Sequence, residues 1–195
     1  MPTIIIARTI KGKAVEHMED NPQWHGKAAK PEFVPIIEQE LESQFMIAPS
    51  IIAGDMTNLE KEVKRCADGR ADYIHLDVMD GQFVPNTTFD HTKIKELRPL
   101  TVIPFDTHLM INEPVKHVKD YVDAGSDIIT VHTEVCDESS FGEIHDILRS
   151  NQVSVGLAIN PDTELPDWAK KFISSLDQLI VMSVVPGISG QIYIE

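Results

Sequence analysis

Short apolar runs alternate with longer stretches of helical spacing along most of the chain, from Met46 onward. The short runs are rich in β-branched residues and apolar at successive positions, which is typical of parallel strands buried on both faces. We predict six such strands, at residues 46–51, 72–78, 101–108, 127–131, 153–158 and 177–183. Because helical stretches separate these runs, the pattern predicts a βα unit that is repeated six times.

The junctions between helices and strands are also repeated. Residues 67–72 read Ala-Asp-Gly-Arg-Ala-Asp, and residues 123–127 read Asp-Ala-Gly-Ser-Asp. In both segments a glycine ends a predicted helix and an aspartate begins the next strand. The first helix is predicted to start at Thr57, with Glu60 three residues later completing a capping box.

Alternating βα units predict a parallel sheet, either an open doubly wound sheet or a closed eight-stranded barrel. In an open sheet the site residues gather at one switch point, whereas here polar candidates follow five of the six predicted strands. The spread favours the barrel. The predicted fold class is therefore α/β, a (β/α)8 TIM barrel that is incomplete, with about six of its eight units present in residues 46–195.

The first part of the chain does not follow this rhythm. Residues 1–33 contain one apolar run, then basic residues and a loop-like segment around Trp24, which is too little for a core of its own. Residues 34–45 are apolar at helical spacing and predict a short amphipathic linker helix. We therefore predict three parts: residues 1–33, a linker at 34–45, and a barrel at 46–195.

Polar residues occupy alternate positions in two of the predicted strands. Side chains that alternate along a strand share one face. The residues concerned are His75, Asp77 and Met79 in one run, and Asp106, His108 and Met110 in the other. Neutral imidazole and ionised carboxylate are the usual ligands of zinc, manganese and iron(II), and a set with open positions is catalytic rather than structural. The two runs therefore predict a metal-assisted active site.

Composition and charge narrow the functional classes. The chain has 195 residues, is 42% hydrophobic and carries a formal charge of −14, which disfavours binding to nucleic acid or to an anionic membrane surface. A small anionic substrate remains compatible, because backbone amides can hold phosphate. We find no apolar stretch of about eighteen residues and no secretory leader. Cys66 and Cys136 stand far apart, so a cytoplasmic location without disulfides is expected.

Five motifs follow one another along the chain. They are Ala-Pro-Ser-Ile at 48–51, His-Leu-Asp-Val-Met-Asp-Gly at 75–81, Asp-Thr-His-Leu-Met at 106–110, Gly-Leu-Ala-Ile-Asn-Pro at 156–161 and Pro-Gly-Ile-Ser-Gly-Gln at 186–191. In this order they closely resemble the motifs of the ribulose-phosphate 3-epimerase family. The resemblance covers residues 46–195. Several long motifs in the right order are far more specific than a single glycine-rich loop.

The resemblance implies a barrel that interconverts D-ribulose 5-phosphate and D-xylulose 5-phosphate by proton transfer through an enediolate, with a divalent zinc, iron(II) or manganese ion. It implies His75, Asp77 and His108 as metal ligands and Asp77 also as a catalytic acid/base. Its implied substrate contacts are Ser50, His108, Gly156, Leu157, Ala158 and Ile159, and its implied site lining is Met79 and Met110.

The same resemblance places a second catalytic aspartate after a seventh strand and phosphate-binding loops after strands seven and eight, beyond this chain. We therefore expect little epimerase activity from these 195 residues, and its recovery when about two βα units are added downstream. A non-catalytic fragment or fusion product and a related hexulose-phosphate 3-epimerase stay open as alternatives. Unpaired parallel edges favour aggregation or swapped dimers, so a homo-oligomer is among the expected states.

A second resemblance concerns the first thirty or so residues. The segments at 7–13, 18–21 and 24–28 look like the end of the thiamine-diphosphate-binding part of transketolase. The rest of that cofactor site is absent from the sequence, so we expect residues 1–33 to be a remnant or tether rather than a working site.

Overall fold

The computed structural model describes residues 46–187 and 191–192. The predicted transketolase-like segment and linker lie outside these residues, and the three-part division stays a prediction. Between Ala48 and the end of the described chain, five parallel strands form one sheet in the order β1-β2-β3-β4-β5. Each strand pairs with the next one in the sequence, and the order shows no reversal of the kind a doubly wound sheet requires. The α/β class is confirmed, as in a partial TIM barrel.

Helices and 3-10 turns alternate with the strands. The strands are β1 (Ile74–Met79), β2 (Phe105–Met110), β3 (Ile128–His132), β4 (Ser154–Ile159) and β5 (Gln178–Val181). The helices are α1 (Leu59–Asp68), α2 (His91–Leu97), α3 (Val118–Asp123), α4 (Glu138–Ser150) and α5 (Asp167–Lys170). The 3-10 turns are Ile51–Ala53, Arg98–Leu100, Pro114–Lys116, Thr133–Val135 and Ile173–Ser175. No helix among the described residues is both long and apolar enough to cross a membrane.

The first predicted strand, at 46–51, is wrong. Ser50 makes only an isolated parallel bridge with His75, whose backbone N–H donates to the Pro49 carbonyl at 3.0 Å. Proline has no N–H to donate to a ladder, and the chain turns into the Ile51–Ala53 3-10 segment directly afterwards. The described sheet therefore has five strands instead of six.

Two other predicted boundaries moved for local reasons. The strand predicted at 101–108 begins only at Phe105, because the Arg98 guanidinium occupies the carbonyls of Thr101 and Ile103 at 2.7 and 2.8 Å. The cap predicted at Thr57 is also displaced by one residue. Asn58 caps α1 instead, since its side chain accepts from the Lys61 backbone N–H at 3.2 Å.

Alternate strand positions divide the sheet into an apolar outer face and a mixed inner face. The outer positions pack with the helices in one core, which includes Leu76, Leu109, Val131, Leu157, Ile94, Phe141 and Leu148. The inner positions of β1 and β2 carry the histidines and aspartates, followed by Met79 and Met110. The core thus holds β1 and β2 in place while their polar side chains face away from the helices.

At the amino-terminal end of the sheet, an aspartate ties neighbouring strands together. Asp127 precedes β3, and its Oδ2 accepts from the Phe105 backbone N–H at 2.8 Å and from the Arg98 guanidinium at 2.9 Å. The Arg98 guanidinium also lies 3.9 Å over the Phe105 ring. One carboxylate therefore completes the ladder where β2 begins.

The same arrangement recurs two strands later. Asp177 precedes β5, and its Oδ2 accepts from the Val155 backbone N–H at 2.8 Å. Arg149, at the end of α4, pairs with the same oxygen at 2.8 Å. An aspartate–arginine pair therefore occurs twice at this end of the sheet, and the first of the two, at Asp127, lies in one of the repeated junctions seen in the sequence.

Candidate metal centre

The pairing of β1 with β2 brings four polar side chains together on the inner face. The register places His75 opposite Asp106 and Asp77 opposite His108. The Oδ1 atom of Asp77 lies 3.3 Å from His75 Nε2 and 3.4 Å from His108 Nδ1. Among the described residues, His75, Asp77 and His108 are the group of three whose ligand atoms all lie within 4.8 Å of one another.

Asp106 supports His75 from the side opposite to Asp77. His75 Nδ1 and Asp106 Oδ2 are 2.7 Å apart, and both side chains are buried. The Gln178 amide donates to both Asp106 oxygens at 3.3 Å. Because a carboxylate only accepts, His75 places a proton on Nδ1 and directs Nε2 toward Asp77, which is the usual arrangement for a metal-binding histidine.

The second oxygen of Asp77 has its own partner. The Ser50 hydroxyl donates to Asp77 Oδ2 in a short hydrogen bond across the single bridge between the two segments. Oδ1 is left facing the two imidazoles. Ser50 was predicted as a substrate contact, and the structure places it against the central carboxylate.

The pKa values in the group follow from burial and from the charges around it. Burial lowers the pKa of His75, but Asp77 and Asp106 outweigh burial and raise it to about 10. Burial lowers the pKa of His108 to about 4, with a further contribution from His132. Burial raises the pKa of Asp77, yet the positive charge of His75 holds it well below its usual value. Near neutral pH the metal-free group therefore holds an ionised Asp77 beside a positively charged His75.

These donors fit a divalent cation. Two imidazole nitrogens and a carboxylate oxygen converge from two strands, and three protein ligands leave coordination positions open for a substrate. A cation held by this group would compensate the charge of Asp77 in place of the His75 proton, so metal binding would release that proton.

The residues predicted to line the site or to contact substrate lie on both faces of the sheet. Met79 and Met110 are buried in a small apolar cluster beside the group. A Cβ on Gly156 would lie 2.0 Å from the Thr130 hydroxyl oxygen, so only glycine fits there.

The next three predicted contacts follow Gly156 along β4. Ala158 shares the inner face with Gly156, whereas Leu157 and Ile159 occupy the alternate positions. Leu157 is packed in the main core. Contact between a substrate and Leu157 therefore has to be made through the backbone.

Two nearby carboxylates are engaged elsewhere. Asp80 accepts from the backbone N–H groups of Gln82, Phe83 and Asn112 at 2.8, 3.0 and 2.7 Å, so it organises the turn after β1. Asp106 is committed to His75. Neither is placed to act as a second acid/base beside Asp77.

Two residues outside the predicted site set adjoin the group. His132 Nε2 lies 2.8 Å from His108 Nε2, and its Nδ1 lies 3.1 Å from Glu134 Oε2. In the sequence the signal was weak, because only a histidine at the end of a strand and an acid two residues later mark the pair.

The fold and the group together define an α/β protein whose parallel sheet carries, on its inner face, three side chains that could hold a metal ion. A structure from Burkholderia cenocepacia J2315, described as a lyase or mutase, shares this fold with a TM-score of 0.50 at 13% identity, over 89% of this chain and 66% of that one. At that identity the likeness concerns the fold alone.

The particular family follows from the sequence comparisons. The profile of the ribulose-phosphate 3 epimerase family matches residues 46–195, and the chain belongs to this family. Ribulose-phosphate 3-epimerase of Synechocystis is 40% identical over 157 residues, which cover 79% of this chain and 66% of that relative. The chloroplastic enzyme of Arabidopsis thaliana is 36% identical over 162 residues, which cover 82% of this chain and 56% of that relative. The chain thus spans less than two thirds of the length of these relatives.

Proposed function

We propose that this protein acts as a ribulose-phosphate 3-epimerase, interconverting D-ribulose 5-phosphate and D-xylulose 5-phosphate. The observation that carries the proposal is the position of Asp77, whose Oδ1 lies between two imidazole nitrogens at 3.3 and 3.4 Å in a chain of this family. The substrate is a small sugar phosphate, and the formal charge of −14 disfavours nucleic acid and anionic membranes as partners.

Asp77 is the acid/base group for one face of the sugar. A proton beside a ketone is too weakly acidic for a free carboxylate to remove, and a divalent cation held by His75, Asp77 and His108 would supply positive charge next to the reacting carbon. Ser50 holds one oxygen of Asp77 and thereby orients the other. Met79 and Met110 offer apolar surface beside the group. Asp77 is ionised near neutral pH and is therefore ready to accept the proton from carbon 3.

Inversion at carbon 3 requires a second acid/base group on the opposite face of the sugar. Among the described residues, Asp80 and Asp106 are the neighbouring carboxylates, and both are bound to other partners. We therefore expect the described part of the site to exchange the carbon 3 proton of one pentulose phosphate with solvent, and net epimerisation to need a further group.

The test is proton exchange in heavy water, followed by NMR on each pentulose phosphate separately. The full chain is loaded with zinc, iron(II) or manganese in parallel, because two imidazoles and one carboxylate suit all three ions. We expect loss of the carbon 3 proton signal from one of the two sugars, and no loss with Asp77→Asn. Asp146→Asn is the matched control, since that side chain is 89% exposed on α4. Absence of both exchange and epimerisation with all three ions would contradict the proposal.

We also propose a cytoplasmic location. The two cysteines are both free in the structure, and their positions far apart in the sequence do not indicate a disulfide framework. Fractionation of cells that express the full-length protein tests this, with recovery in the membrane or exported fractions as the contrary result.

A further inference from the structure

A third imidazole, that of His132, and the carboxylate of Glu134 extend from the candidate metal group of His75, Asp77 and His108 across the inner face. His132, the last residue of β3, faces His108 with 2.8 Å between the Nε2 atoms, and the two rings lie within 18° of parallel. Glu134 follows in the next turn and lies 3.1 Å from His132 Nδ1. Its other oxygen accepts from the Asn160 backbone N–H at 2.8 Å. This chain of contacts, from His108 through His132 and Glu134 to Asn160, thus links β2 to the end of β4.

The surroundings of His132 exclude water, so its ring nitrogens form hydrogen bonds only with His108 and Glu134. Its side chain is fully buried, and His108 is 2% exposed. The Phe83 ring covers His132 with 4.8 Å between ring centroids. Because water is kept from both rings, each ring nitrogen has to find its hydrogen-bond partner within the protein.

The Glu134 carboxylate determines which ring nitrogens of His132 and His108 donate hydrogen bonds and which accept them. Burial raises the pKa of Glu134, but its bonds from His132 and from the Asn160 backbone outweigh burial and lower the pKa to about 2. Both Glu134 oxygens therefore accept, and His132 donates from Nδ1. Its Nε2 is then the acceptor for the Nε2–H of His108. The lone pair of His108 is left on Nδ1, the atom that faces Asp77 at 3.4 Å.

We propose that His132 and Glu134 are positioning residues that hold His108 in the Nε2–H tautomer, so that Nδ1 is ready for the metal before the metal binds. The proposal deepens the proposed function, on which its metal-binding part rests. For His75, the Asp106 carboxylate fixes the tautomer by direct contact with Nδ1. For His108, the Glu134 carboxylate fixes the tautomer through the intervening imidazole of His132. Partners of this kind orient metal ligands and raise their affinity.

The first test is the tautomer of His108 in the metal-free protein, read from ¹⁵N–¹H correlations of the histidine rings. We expect a proton on Nε2 and none on Nδ1 in the wild-type chain. Glu134→Gln offers one oxygen where two are needed, so the Asn160 N–H and His132 Nδ1–H cannot both be accepted. We expect this variant to move His108 toward the Nδ1–H form. A wild-type proton on Nδ1, or no change in Glu134→Gln, would overturn the proposal.

The second test is zinc affinity, measured by competition with a chromophoric chelator. We expect Glu134→Gln and His132→Leu to weaken zinc binding by about 10–100-fold, the range typical of such partners. His132→Gln restores most of the affinity, because its amide oxygen can accept from His108. Glu138→Gln is the matched control: the same change on an exposed carboxylate paired with Lys171, expected to leave affinity unchanged.

The two tests separate the positioning role from the metal centre itself. Wild-type zinc affinity in both Glu134→Gln and His132→Leu would overturn the positioning role. If the wild-type chain binds no zinc, the proposed function fails, and the tautomer measurement alone decides the role of His132 and Glu134. Circular dichroism of every variant shows that it is folded, and Glu134→Gln serves in both tests if His132→Leu does not fold.

Discussion

Carboxylates in this sheet have two kinds of partner, depending on where they lie. At the amino-terminal end, Asp127 and Asp177 each accept from a strand N–H and pair with an arginine. On the inner face, Asp77, Asp106 and Glu134 contact histidines. An arginine keeps its charge at every accessible pH, whereas an imidazole can give up a proton and take a metal.

The difference teaches why the same residue type has two roles here. The Asp127 side chain is 50% exposed, so water screens its charge and weakens its ion pair with Arg98. Its main contribution to stability is to accept a hydrogen bond from the Phe105 backbone N–H. The Asp77 side chain is 15% exposed and has two imidazoles and a hydroxyl around it. The arrangement around Asp127 stabilises the sheet, whereas the arrangement around Asp77 keeps a negative charge where a cation could bind.

Replacing the central carboxylate should have the largest effect. We expect Asp77→Asn to weaken zinc binding by more than about 100-fold, because loss of a ligand exceeds the loss of an outer partner. Chelator competition measures the change. Asp127→Asn, the same change at the other end of the sheet, should bind zinc as the wild type does, and equal losses in both variants would remove the distinction.

Replacing the direct partner of His75 should have the next largest effect. Asp106→Asn lets the amide present a donor to His75 Nδ1 and should weaken zinc binding by about 10–100-fold. The zinc affinity of Asp106→Asn is compared with that of Asp177→Asn, in which an aspartate paired with Arg149 is changed instead. Unchanged affinity in Asp106→Asn would show that His75 does not depend on this contact.

Acid should act on the inner face through Glu134. Its pKa falls from 4.5 to about 2 in the folded chain, so its contribution to stability is present above pH 4.5 and is lost as the pH falls toward 2. We expect about 3 kcal/mol of the free energy of unfolding to be lost in this window. Urea unfolding at several pH values, with Glu134→Gln lacking this part of the loss, is the measurement. Parallel curves for the two proteins would contradict the assignment.

The smallest effect is expected at the amino-terminal end. Asp127→Ala leaves the Phe105 N–H and the Arg98 guanidinium without their carboxylate. We expect the free energy of unfolding to fall by about 1–2 kcal/mol, with zinc affinity unchanged. Urea unfolding and chelator competition on the same sample test both halves. A loss of zinc affinity would show that the two ends of the sheet are coupled.

Sequence patterns predicted what depends on local periodicity. The alternation in 75–79 and 106–110 placed His75, Asp77 and His108 on one face, and the structure brings them together. The strand at 46–51 was wrong, because Pro49 lacks the N–H that a ladder requires. Apolar character alone does not reveal this.

The features that sequence patterns did not predict are contacts between strands. The pairing of Asp106 with His75 depends on the register of β1 against β2, which no pattern within one strand records. His132 and Glu134 are brought to His108 by the turn after β3, and Glu134 is held there by the Asn160 N–H. Long-range register and turn geometry therefore decided which polar residues joined the site.

The strand order has a consequence for how the molecule is made. Because each strand pairs with the one that follows it in the chain, a nascent polypeptide can add one βα unit at a time as it leaves the ribosome. All three side chains of the candidate metal group lie between Ile74 and Met110, on the first two strands of this order. The group therefore needs only the pairing of β1 with β2, and β3 brings His132 to it.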